Sequence, residues 1–527
     1  MVHSFPTDLD SVQKIVHLVE EAFLEKGVNE KLSHEYQLLI EELSLKLIEG
    51  AGLGAQIDVT VSHNMGHLRV KLDCVGQPVF LGKQDPDDFG GQILEEFSDY
   101  LSQSYSAGVN HVTFQPSSID KMPLICLISL ASAILVGSLF RFIATPETQQ
   151  WVIENLFYPI VLVFANCMQA IALPTAFFSL SAFIITFYLT LDRNSNILKI
   201  AVRYIVTSLV AMLISTLMWR IYCGMGVKFD VSDFQTVGNH FMGTSIRDFL
   251  SNLVSTDIVT PFLISNPLPM LMLSIILGVA ASTLFGQSGQ IMRHAIGSIN
   301  SICERMINMI YGLLPYFLFV AVLQRQIKLG FAYELIILKS LAIFILPILL
   351  MLVVYAIQLR INGVKVRDFL HNFSDVLWEN LKIGSNIAAL PYNKRMIYRK
   401  TKMQSSLLKE GLILGNLMNM DGNCLTISLG ILILVSSAGI GFSVAEGIGL
   451  AFIIILLSIG APNQPGSFML CMIVLMMYVG ISADLYGDIL IIEAFLGKFY
   501  SCLNSVGDVV TMVSFQSSQK RKKLAAK

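Results

Sequence analysis

The sequence predicts an α-helical polytopic membrane protein that carries a small α/β domain at its N-terminus. Of its 527 residues, 54% are hydrophobic and 14% are charged, whereas soluble proteins carry roughly 25% charged residues. The charge is also uneven along the chain. Residues 1–118 have an ordinary density of acidic and basic side chains, and long apolar segments then run from Met122 to about Phe515. A soluble domain (1–118) followed by a transmembrane domain (119–527) explains both observations.

The N-terminal domain shows both helical and strand periodicity. Apolar residues recur at helical spacing over 8–25 and 34–50. Apolar and polar residues alternate, as in half-buried strands, over 56–62, 68–74 and 111–115. We expect one more helix near 89–105, and a short polar joint at 116–121 that keeps this domain close to the membrane.

Beyond residue 121 we count eight apolar segments that could cross a bilayer, which takes about 20 helical residues. They lie at 122–143, 155–189, 197–223, 264–285, 307–323, 335–358, 407–440 and 488–515. Two further stretches, 366–398 and 448–483, are interrupted by Gly, Ser or Pro. We predict that these two form re-entrant helical hairpins, because irregular backbone at membrane depth is tolerated only where it lines a cavity.

The distribution of basic residues predicts the orientation. Lys and Arg cluster at 193–203, 365–367, 394–402 and 520–523, whereas 144–154 contains neither. By the positive-inside rule, both termini are cytoplasmic and 144–154 faces outwards from the cell (inner) membrane. Membrane lipid is therefore the expected surrounding. We interpret the basic tail as an orientation signal and not as a nucleic-acid site.

Three polar strings interrupt the apolar segments near the C-terminus: 419–422 (NMDG), 458–460 (SIG) with Pro465-Gly466, and 504–508 (NSVGD). A charged side chain at a helix centre costs about 2.5–3.5 kcal/mol even on insertion scales, so Asp421 and Asp508 suggest a function. Asn beside Asp offers hard oxygen ligands for a small cation. These strings indicate an ion-coupled transporter; the alternatives are that the acids pair with basic residues of the bundle or carry protons.

Taken in order, the motifs resemble the dicarboxylate/amino acid:cation symporter family, which has the glutamate-transporter fold. They are a Ser-containing hairpin tip ending in Leu390-Pro391, then Asn-Met-Asp-Gly, Ser-Ile-Gly with Pro-Gly, and Asn-x-x-Gly-Asp. The resemblance covers about 119–515. It implies eight spans, two opposed hairpins, and a homotrimer whose transport domains move like elevators through a fixed scaffold.

The resemblance also implies sodium sites. One would use Tyr204, Thr207, Ser208, Asn419 and Asp421. A second would use carbonyls of Gly415, Asn419 and Asn504 with the Asp508 carboxylate, and a third would use carbonyls around Leu417, Ser458, Ile459 and Ala461.

The residues that correspond to the family's solute contacts depart from the family pattern. The region comprises Ser385, Asn386, Asn423, Pro465, Gly466, Gly497, Tyr500, Ser501 and Asn504. Gly497 and Tyr500 stand where amino-acid carriers have the acid and the arginine that hold the solute's ammonium and second carboxylate. Glutamate and aspartate are therefore not the expected solutes. Lys498 either holds an anion or faces away from the site.

The N-terminal domain resembles the histidine-kinase/anti-sigma-factor ATPase fold in a degenerate form. Residues 42–50 match the helix that carries Glu-x-x-x-Asn in that fold, and 73–76 (DCVG) lies where its adenine-binding motif would be. Lys46 replaces the magnesium-binding Asn, so we do not expect ATP as a cofactor. The alternative is a regulatory or interaction module.

These observations favour a secondary active transporter that couples inward movement of sodium, or of protons, to uptake of a small organic solute such as a carboxylate or amino acid. The alternative is a transporter-derived membrane sensor that signals through the N-terminal ATPase-like domain. The changed solute residues favour the sensor, and the intact cation residues favour transport. We predict that the protein is not an enzyme, because the sequence shows no catalytic triad, metal-ligand cluster or P-loop.

Overall fold

The computed structural model describes most of the chain, in two compact units. The described residues are 2–25, 30–51, 55–64, 67–79, 94, 101–106, 108–114, 122–191, 196–225, 246–264, 266–439, 444–461, 466–481 and 486–525. One unit lies within Met1–Lys121 and also takes in Pro391–Arg395; the other comprises Met122–Leu390 and Met396–Lys527.

The N-terminal unit is an antiparallel sheet with two helices. Its strands are β1 (Val2–Pro6), β2 (Gln56–Asn64), β3 (His67–Val75), β4 (Leu101–Ser106) and β5 (Val109–Phe114), and its helices are α1 (Leu9–Glu25) and α2 (Glu30–Gly50). The strand order is β1-β2-β3-β5-β4. Each neighbouring pair is antiparallel, with registers such as Val59 opposite Leu72.

Alternation along the central strands places one apolar face against both helices. Ile57, Val59, Val70, Leu72, Val112 and Phe114 are fully buried and share one core with residues of α1 and α2. Three aromatic rings lie in this core: Tyr36 is 5.0 Å from Phe114 and 5.8 Å from Phe23 between ring centroids. The unit therefore has a hydrophobic core of its own.

The predicted helix near 89–105 is wrong over its last residues, because 101–106 forms strand β4. Strand β4 is mostly polar and exposed, so its alternation is weak, and pairing with β5 supplies the reason for its extended form. Strand β1 was not predicted from the sequence, because it is an edge strand that is mostly exposed. Residues 89–93 and 95–100 and the predicted joint at 116–121 lie outside the described residues.

The second unit is helical over the described residues. Its helices are α3 (Met122–Ile143), α4 (Pro146–Val152), α5 (Tyr158–Leu191), α6 (Asn196–Gly224), α7 (Ile246–Ser251), α8 (Thr260–Leu263), α9 (Pro267–Thr283), α10 (Gly286–Tyr311), α11 (Leu314–Leu329), α12 (Phe331–Ile361), α13 (Val366–Ile383), α14 (Asn386–Thr401), α15 (Ser405–Met418), α16 (Asp421–Ser437), α17 (Val444–Ile459), α18 (Ser467–Val479) and α19 (Tyr486–Ala525). A π-helical turn, Ile153–Phe157, joins α4 to α5.

Six helical stretches in the described part are long and apolar enough to cross a membrane. They are Met122–Ile143, Pro146–Leu191, Asn196–Gly224, Phe331–Ile361, Leu407–Ser437 and Asp488–Lys522, and α10 with α11 makes a seventh if this bent pair is one span. Large apolar side chains point outwards on α3, where Leu135 is 68% and Phe142 89% exposed. Apolar patches of this kind are rare on soluble proteins and suit contact with lipid.

The predicted total of eight spans stays a prediction, because the segment at 264–285 forms α9, which has only 17 residues. The predicted span at 307–323 is not one helix: it contains the junction of α10 and α11, where the axis bends by 49°. Pro315 lies in the first turn of α11. Since proline has no N–H and a preset φ, it suits the start of a new helix and not the interior of the old one.

Both interrupted stretches form helix pairs. Helix α13 ends at Ile383, its C-cap residue Gly384 has a φ of 64°, and α14 begins at Asn386. Helix α18 is preceded by Gly466, with a φ of 94°. Both values lie in the left-handed region, which glycine occupies without steric cost. The segment predicted at 407–440 is likewise broken, between α15 and α16.

Replacing Leu72 by Ala should unfold the N-terminal unit more easily. Leu72 is fully buried in the core, and such a change costs about 2–5 kcal/mol of unfolding free energy. Urea unfolding of residues 1–121 expressed alone, followed by circular dichroism, measures it. Val75→Ala is the control, since Val75 lies on the same strand but is 58% exposed, and it should change the free energy by about 0.5 kcal/mol or less. Equal effects of the two changes would contradict the assignment of this core.

Candidate functional site

The site is built around the break between α15 and α16. Asn419 (φ −86°, ψ 67°) and Met420 (φ −95°, ψ 48°) leave the helical region, and α16 starts at Asp421. The last carbonyls of a helix lack intrahelical donors, so the end of α15 presents backbone oxygen inside the bundle. Asp421 lies in the first turn of α16, where the helix dipole favours a negative charge.

Asp421 is completely buried and accepts hydrogen bonds from two other helices. The Ser208 hydroxyl of α6 donates to Asp421 Oδ1 over 2.9 Å. The Tyr355 hydroxyl of α12 lies 3.0 Å from Asp421 Oδ2 and 3.0 Å from the carbonyl oxygen of Leu503. Helices α6, α12, α16 and α19 therefore meet at this carboxylate.

The Asn419 side chain links Asp508 of α19 to Thr207 of α6. Its Nδ2 donates to Asp508 Oδ1 over 2.9 Å and lies 3.3 Å from the carbonyl oxygen of Asn504, both on α19. Its Oδ1 accepts from the Thr207 hydroxyl of α6 over 3.1 Å. One amide thus uses its donor and acceptor sides to join the helix break to α6 and α19.

Gly415 allows the helices to approach closely beside Asp508. A Cβ atom at this position would lie 2.5 Å from Asp508 Oδ1 and 2.6 Å from the Tyr204 hydroxyl oxygen. The Tyr204 hydroxyl itself donates to the carbonyl oxygen of Gly411 over 3.1 Å. A side chain at position 415 would therefore displace the carboxylate or the phenol.

The structure brings together the residues of the first two predicted cation sites. Their polar atoms are carboxylate, amide, hydroxyl and carbonyl groups, and neither Asp421 nor Asp508 forms an ion pair within the described part of the chain. Such hard oxygen donors around uncompensated negative charge suit a small cation.

The third predicted cation site is less well connected. Its residues lie at the end of α15 (Leu417) and at and just beyond the end of α17 (Ser458, Ile459 and Ala461). Ser458 and Ala461 are buried. The Ser458 hydroxyl has no hydrogen-bond partner among the residues that the structure describes. No described hydrogen bond joins Leu417 to the other three.

Several predicted solute residues form a polar network between α19 and the helix pairs α13–α14 and α17–α18. The Ser505 hydroxyl donates to Asn386 Oδ1 over 2.6 Å, and Asn423 Nδ2 donates to the Ser467 hydroxyl over 2.9 Å. Asn504 Oδ1 accepts from the Gly422 N–H over 2.7 Å. The start of α14 and the start of α18 are thereby joined to the core of the bundle.

The remaining predicted solute residues differ in their placement. Ser385 lies in the turn before α14, and the carbonyl oxygen of Ser501 accepts from Ser505 over 3.2 Å. Pro465 lies outside the described residues.

Glu493 was missed by the sequence analysis, although it lies at this site. Its Oε1 accepts from the Gly466 N–H over 2.8 Å, and its Oε2 accepts from the Met469 N–H over 3.2 Å and from the Tyr500 hydroxyl over 2.5 Å. Gly497 lies beside it, since a Cβ atom there would be 3.3 Å from Glu493 Oε1. The signal was available: Glu493 is an acid within an apolar segment, as Asp421 and Asp508 are.

Two further side chains bear on the predictions. Lys498 Nζ donates to the carbonyl oxygen of Lys382 over 3.3 Å, which directs this ammonium group towards the end of α13. Tyr355 was also missed by the sequence analysis. It is a buried tyrosine in the strongly apolar helix α12, and its polar group was the only hint.

The residues suggested for nucleotide binding in the N-terminal unit are engaged with each other or with neighbours. The Asp73 carboxylate contacts Lys71 Nζ at 2.5 Å and His111 Nδ1 at 2.7 Å. Lys46 Nζ lies 3.9 Å from Glu49 Oε2. Desolvation raises the pKa of the Cys74 thiol, which adjoins Asp73 in the sequence. An adenine would have to displace Lys71 and His111 from Asp73.

Comparison with protein families decides the class. The model of the sodium:dicarboxylate symporter family matches residues 124–518. The chain belongs to the sodium:dicarboxylate symporter family. Members of this family are transporters and not enzymes, and the apolar helices make this chain a multi-pass membrane protein.

Its relatives in the sodium:dicarboxylate symporter family are distant. The chain is 26% identical to the C4-dicarboxylate transport protein of Serratia proteamaculans (strain 568) over 51% of this chain and 62% of that protein. It is 23% identical to excitatory amino acid transporter 3 of Mus musculus over 46% and 47% of the two chains. It is 22% identical to the proton/glutamate-aspartate symporter of Escherichia coli (strain K12) over 76% and 94% of the two chains.

Replacing Gly415 by Ala should destabilise this symporter-family protein, since the new methyl group would collide with Asp508 and Tyr204. We expect a loss of about 1–3 kcal/mol, as for other overpacked sites, visible as a lower melting temperature in detergent. Gly297→Ala is the matched control: Gly297 lies within helix α10, and a Cβ atom there would meet nothing within 4 Å. Equal melting temperatures for Gly415→Ala and the parent would contradict the described geometry.

Proposed function

We propose that this protein is a secondary active transporter that couples inward sodium movement to uptake of a small organic solute other than glutamate or aspartate. The observation that carries the proposal is the pair of buried carboxylates at a helix break: Asp421 begins the helix after the break, and Asp508 is bonded by Asn419 within the break. Such a pair needs positive charge to remain ionised in a dry environment. The coupling cation would supply that charge.

Hydroxyl and amide groups surround both acids. Ser208 and Tyr355 direct hydroxyl groups at Asp421, and the Asn419 amide donates to Asp508. These groups, together with the backbone carbonyls at the helix break, form the all-oxygen surroundings that a small cation such as sodium prefers. The predicted sodium ligands from α6, α15, α16 and α19 stay our assignment for the first two sites.

The solute region supports a solute without a second carboxylate. Gly497 and Tyr500 provide neither the acid nor the guanidinium that an acidic amino acid requires. The region instead contains amide and hydroxyl groups and the buried carboxylate of Glu493. A second solute carboxylate would meet this negative charge without a basic partner, which is costly in a buried site. A neutral amino acid or a small monocarboxylate fits better.

The orientation, the membrane and the oligomeric state that we propose follow from the sequence. Basic clusters favour cytoplasmic termini in the cell (inner) membrane, and the family resemblance favours a homotrimer. For residues 1–118 we propose a degenerate ATPase-like module that regulates transport. The order β-α-α-β-β followed by two more paired strands, with both helices packed on the sheet, supports this assignment.

Uptake into proteoliposomes tests the function. The purified full chain, reconstituted with an inward sodium gradient, should accumulate at least one solute from a panel of radiolabelled neutral amino acids and monocarboxylates. Uptake should stop when choline replaces sodium. L-Glutamate and L-aspartate should give no uptake above that of empty vesicles. Uptake that persists in choline and follows a proton gradient would overturn the sodium assignment.

Sodium binding is measured separately by thermal unfolding in sodium and in choline chloride. A ligand that binds only the folded state adds about 2.7 kcal/mol of stability at one hundred times its Kd. Asp421→Asn and Asp508→Asn should each reduce the difference between the two salts. Asp488→Asn is the control, because Asp488 lies on the same helix as Asp508 but is paired with Arg325 at 3.2 Å. It should lower stability in both salts and keep the difference.

Together the two measurements separate the transporter from the sensor. Sodium stabilisation combined with uptake supports the transporter. Sodium stabilisation with no uptake of any tested solute favours the sensor. The hydrogen bonds that the polar groups of the solute region form with each other agree with that alternative. Coinciding melting curves in the two salts would show that the cation assignment is wrong.

The N-terminal module should not bind ATP. Lys46 adds a cation where magnesium would be held, and Asp73 is bound by Lys71 and His111. Titration of a fluorescent ATP analogue with magnesium against residues 1–121 should show no saturable binding with a Kd below about 100 μM. The binding free energy at that Kd lies between the ~4.1 kcal/mol of a millimolar ligand and the ~8.2 kcal/mol of a micromolar one. Saturable, magnesium-dependent binding in that range would show that the degenerate motif still works.

A further inference from the structure

Helix α19 carries two side chains of opposite charge that bind the ends of the two hairpins. Glu493 accepts the N–H groups of Gly466 and Met469, at the start of α18. Lys498 donates to the carbonyl oxygen of Lys382, next to the last residue of α13. The first N–H groups and the last carbonyl groups of a helix have no partner within the helix. Each charged side chain therefore bonds backbone groups that lack a partner within their own helix.

The signs of the two charges agree with the helix dipoles. The N-terminal end of a helix carries a partial positive charge and the C-terminal end a partial negative charge. The Glu493 carboxylate meets the positive end of α18, and the Lys498 ammonium group meets the negative end of α13. Exchanging the two residues would place like charges together at both ends.

Close packing keeps both side chains at these positions. The Lys498 stem lies against Gly384, where a Cβ atom would be 2.7 Å from Lys498 Cγ. Glu493 is 1% exposed and is held by the Tyr500 hydroxyl in addition to the two N–H groups. The Tyr500 ring packs on Phe468 of α18, with 5.7 Å between ring centroids. The contacts with α18 therefore combine charge with an apolar contact.

We propose that Glu493 and Lys498 are positioning residues. They hold the start of α18 and the end of α13, which flank the breaks of the two predicted hairpins, against α19 without a bound solute. Gly466 belongs to the proposed solute region, and its N–H is occupied by a carboxylate of the chain itself. The contact between the start of α18 and α19 then does not need a carboxylate from the solute. This inference concerns hairpin closure and does not depend on which ion or solute the protein carries.

Hydrogen–deuterium exchange of the full chain in lipid nanodiscs, without solute, tests the proposal. Glu493→Gln keeps the size of the side chain and removes its charge. Because hydrogen bonds to a charged group are stronger than those to a neutral one, we expect amide exchange at 466–470 to rise about ten- to hundredfold. Exchange at 384–389, in the first hairpin, should stay unchanged in this variant.

Lys498→Gln should give the reverse pattern, with faster exchange at 384–389 and unchanged exchange at 466–470. Lys498→Arg keeps the charge and should keep protection at 384–389. Each variant is thus the control for the other, and α3 (Met122–Ile143) is the internal reference for global folding. A residue that only stabilises the fold would raise exchange at both hairpins and in α3.

Tyr500→Phe is a second, milder test of the contact with α18. It removes one donor to Glu493 and leaves the carboxylate in place, so exchange at 466–470 should rise less than in Glu493→Gln. If Glu493→Gln does not fold, this variant is decisive by itself. Unchanged exchange at 466–470 in folded Glu493→Gln, or in Tyr500→Phe when Glu493→Gln does not fold, overturns the proposal for Glu493. Unchanged exchange at 384–389 in Lys498→Gln overturns it for Lys498.

Discussion

The hydrogen bonds of one side-chain amide organise the centre of the transmembrane unit. Asn419 lies at the break between α15 and α16, donates to Asp508 and accepts from Thr207. The break is what makes this possible, because a residue in a continuous helix would not present its amide between α6 and α19 in this way. Asp508 depends directly on this amide, whereas Asp421 is held by Ser208 and Tyr355. If the amide were lost, Asp508 would keep its burial and lose the donor that Asn419 provides, which is costly for an ionised group.

The sequence was sufficient to identify the charged and amide side chains that lie within apolar segments. Asp421, Asn419 and Asp508 could be singled out because carboxylates and amides are expensive in apolar segments, and the structure places them together. Gly415 followed only from the family resemblance. Its physical reason, the close approach of Asp508 and Tyr204, depends on three helices that are distant in the sequence.

Other features could not be predicted because their cause lies elsewhere in the chain. Strands β1 and β4 are edge strands with few buried residues, so their form depends on the partner strand and not on their own periodicity. Tyr355 reaches Asp421 through a single hydroxyl group in an apolar helix. Glu493 obeyed the rule that identified Asp421, but its partners on α18 lie more than twenty residues away. The bend between α10 and α11 was hidden because hydropathy is continuous across it.

The absence of a side chain at Gly415 has a consequence for the choice of ion. Asp508 and the Tyr204 hydroxyl approach the backbone there so closely that even a methyl group does not fit. A cation bound beside this glycine would have to leave its hydration water behind and take all its oxygen contacts from the protein. Dehydration and the fixed spacing of these oxygens would then set the selectivity, and potassium, being larger than sodium, would force the helices apart. Ion choice would thus depend on backbone packing as much as on the charge of the two aspartates.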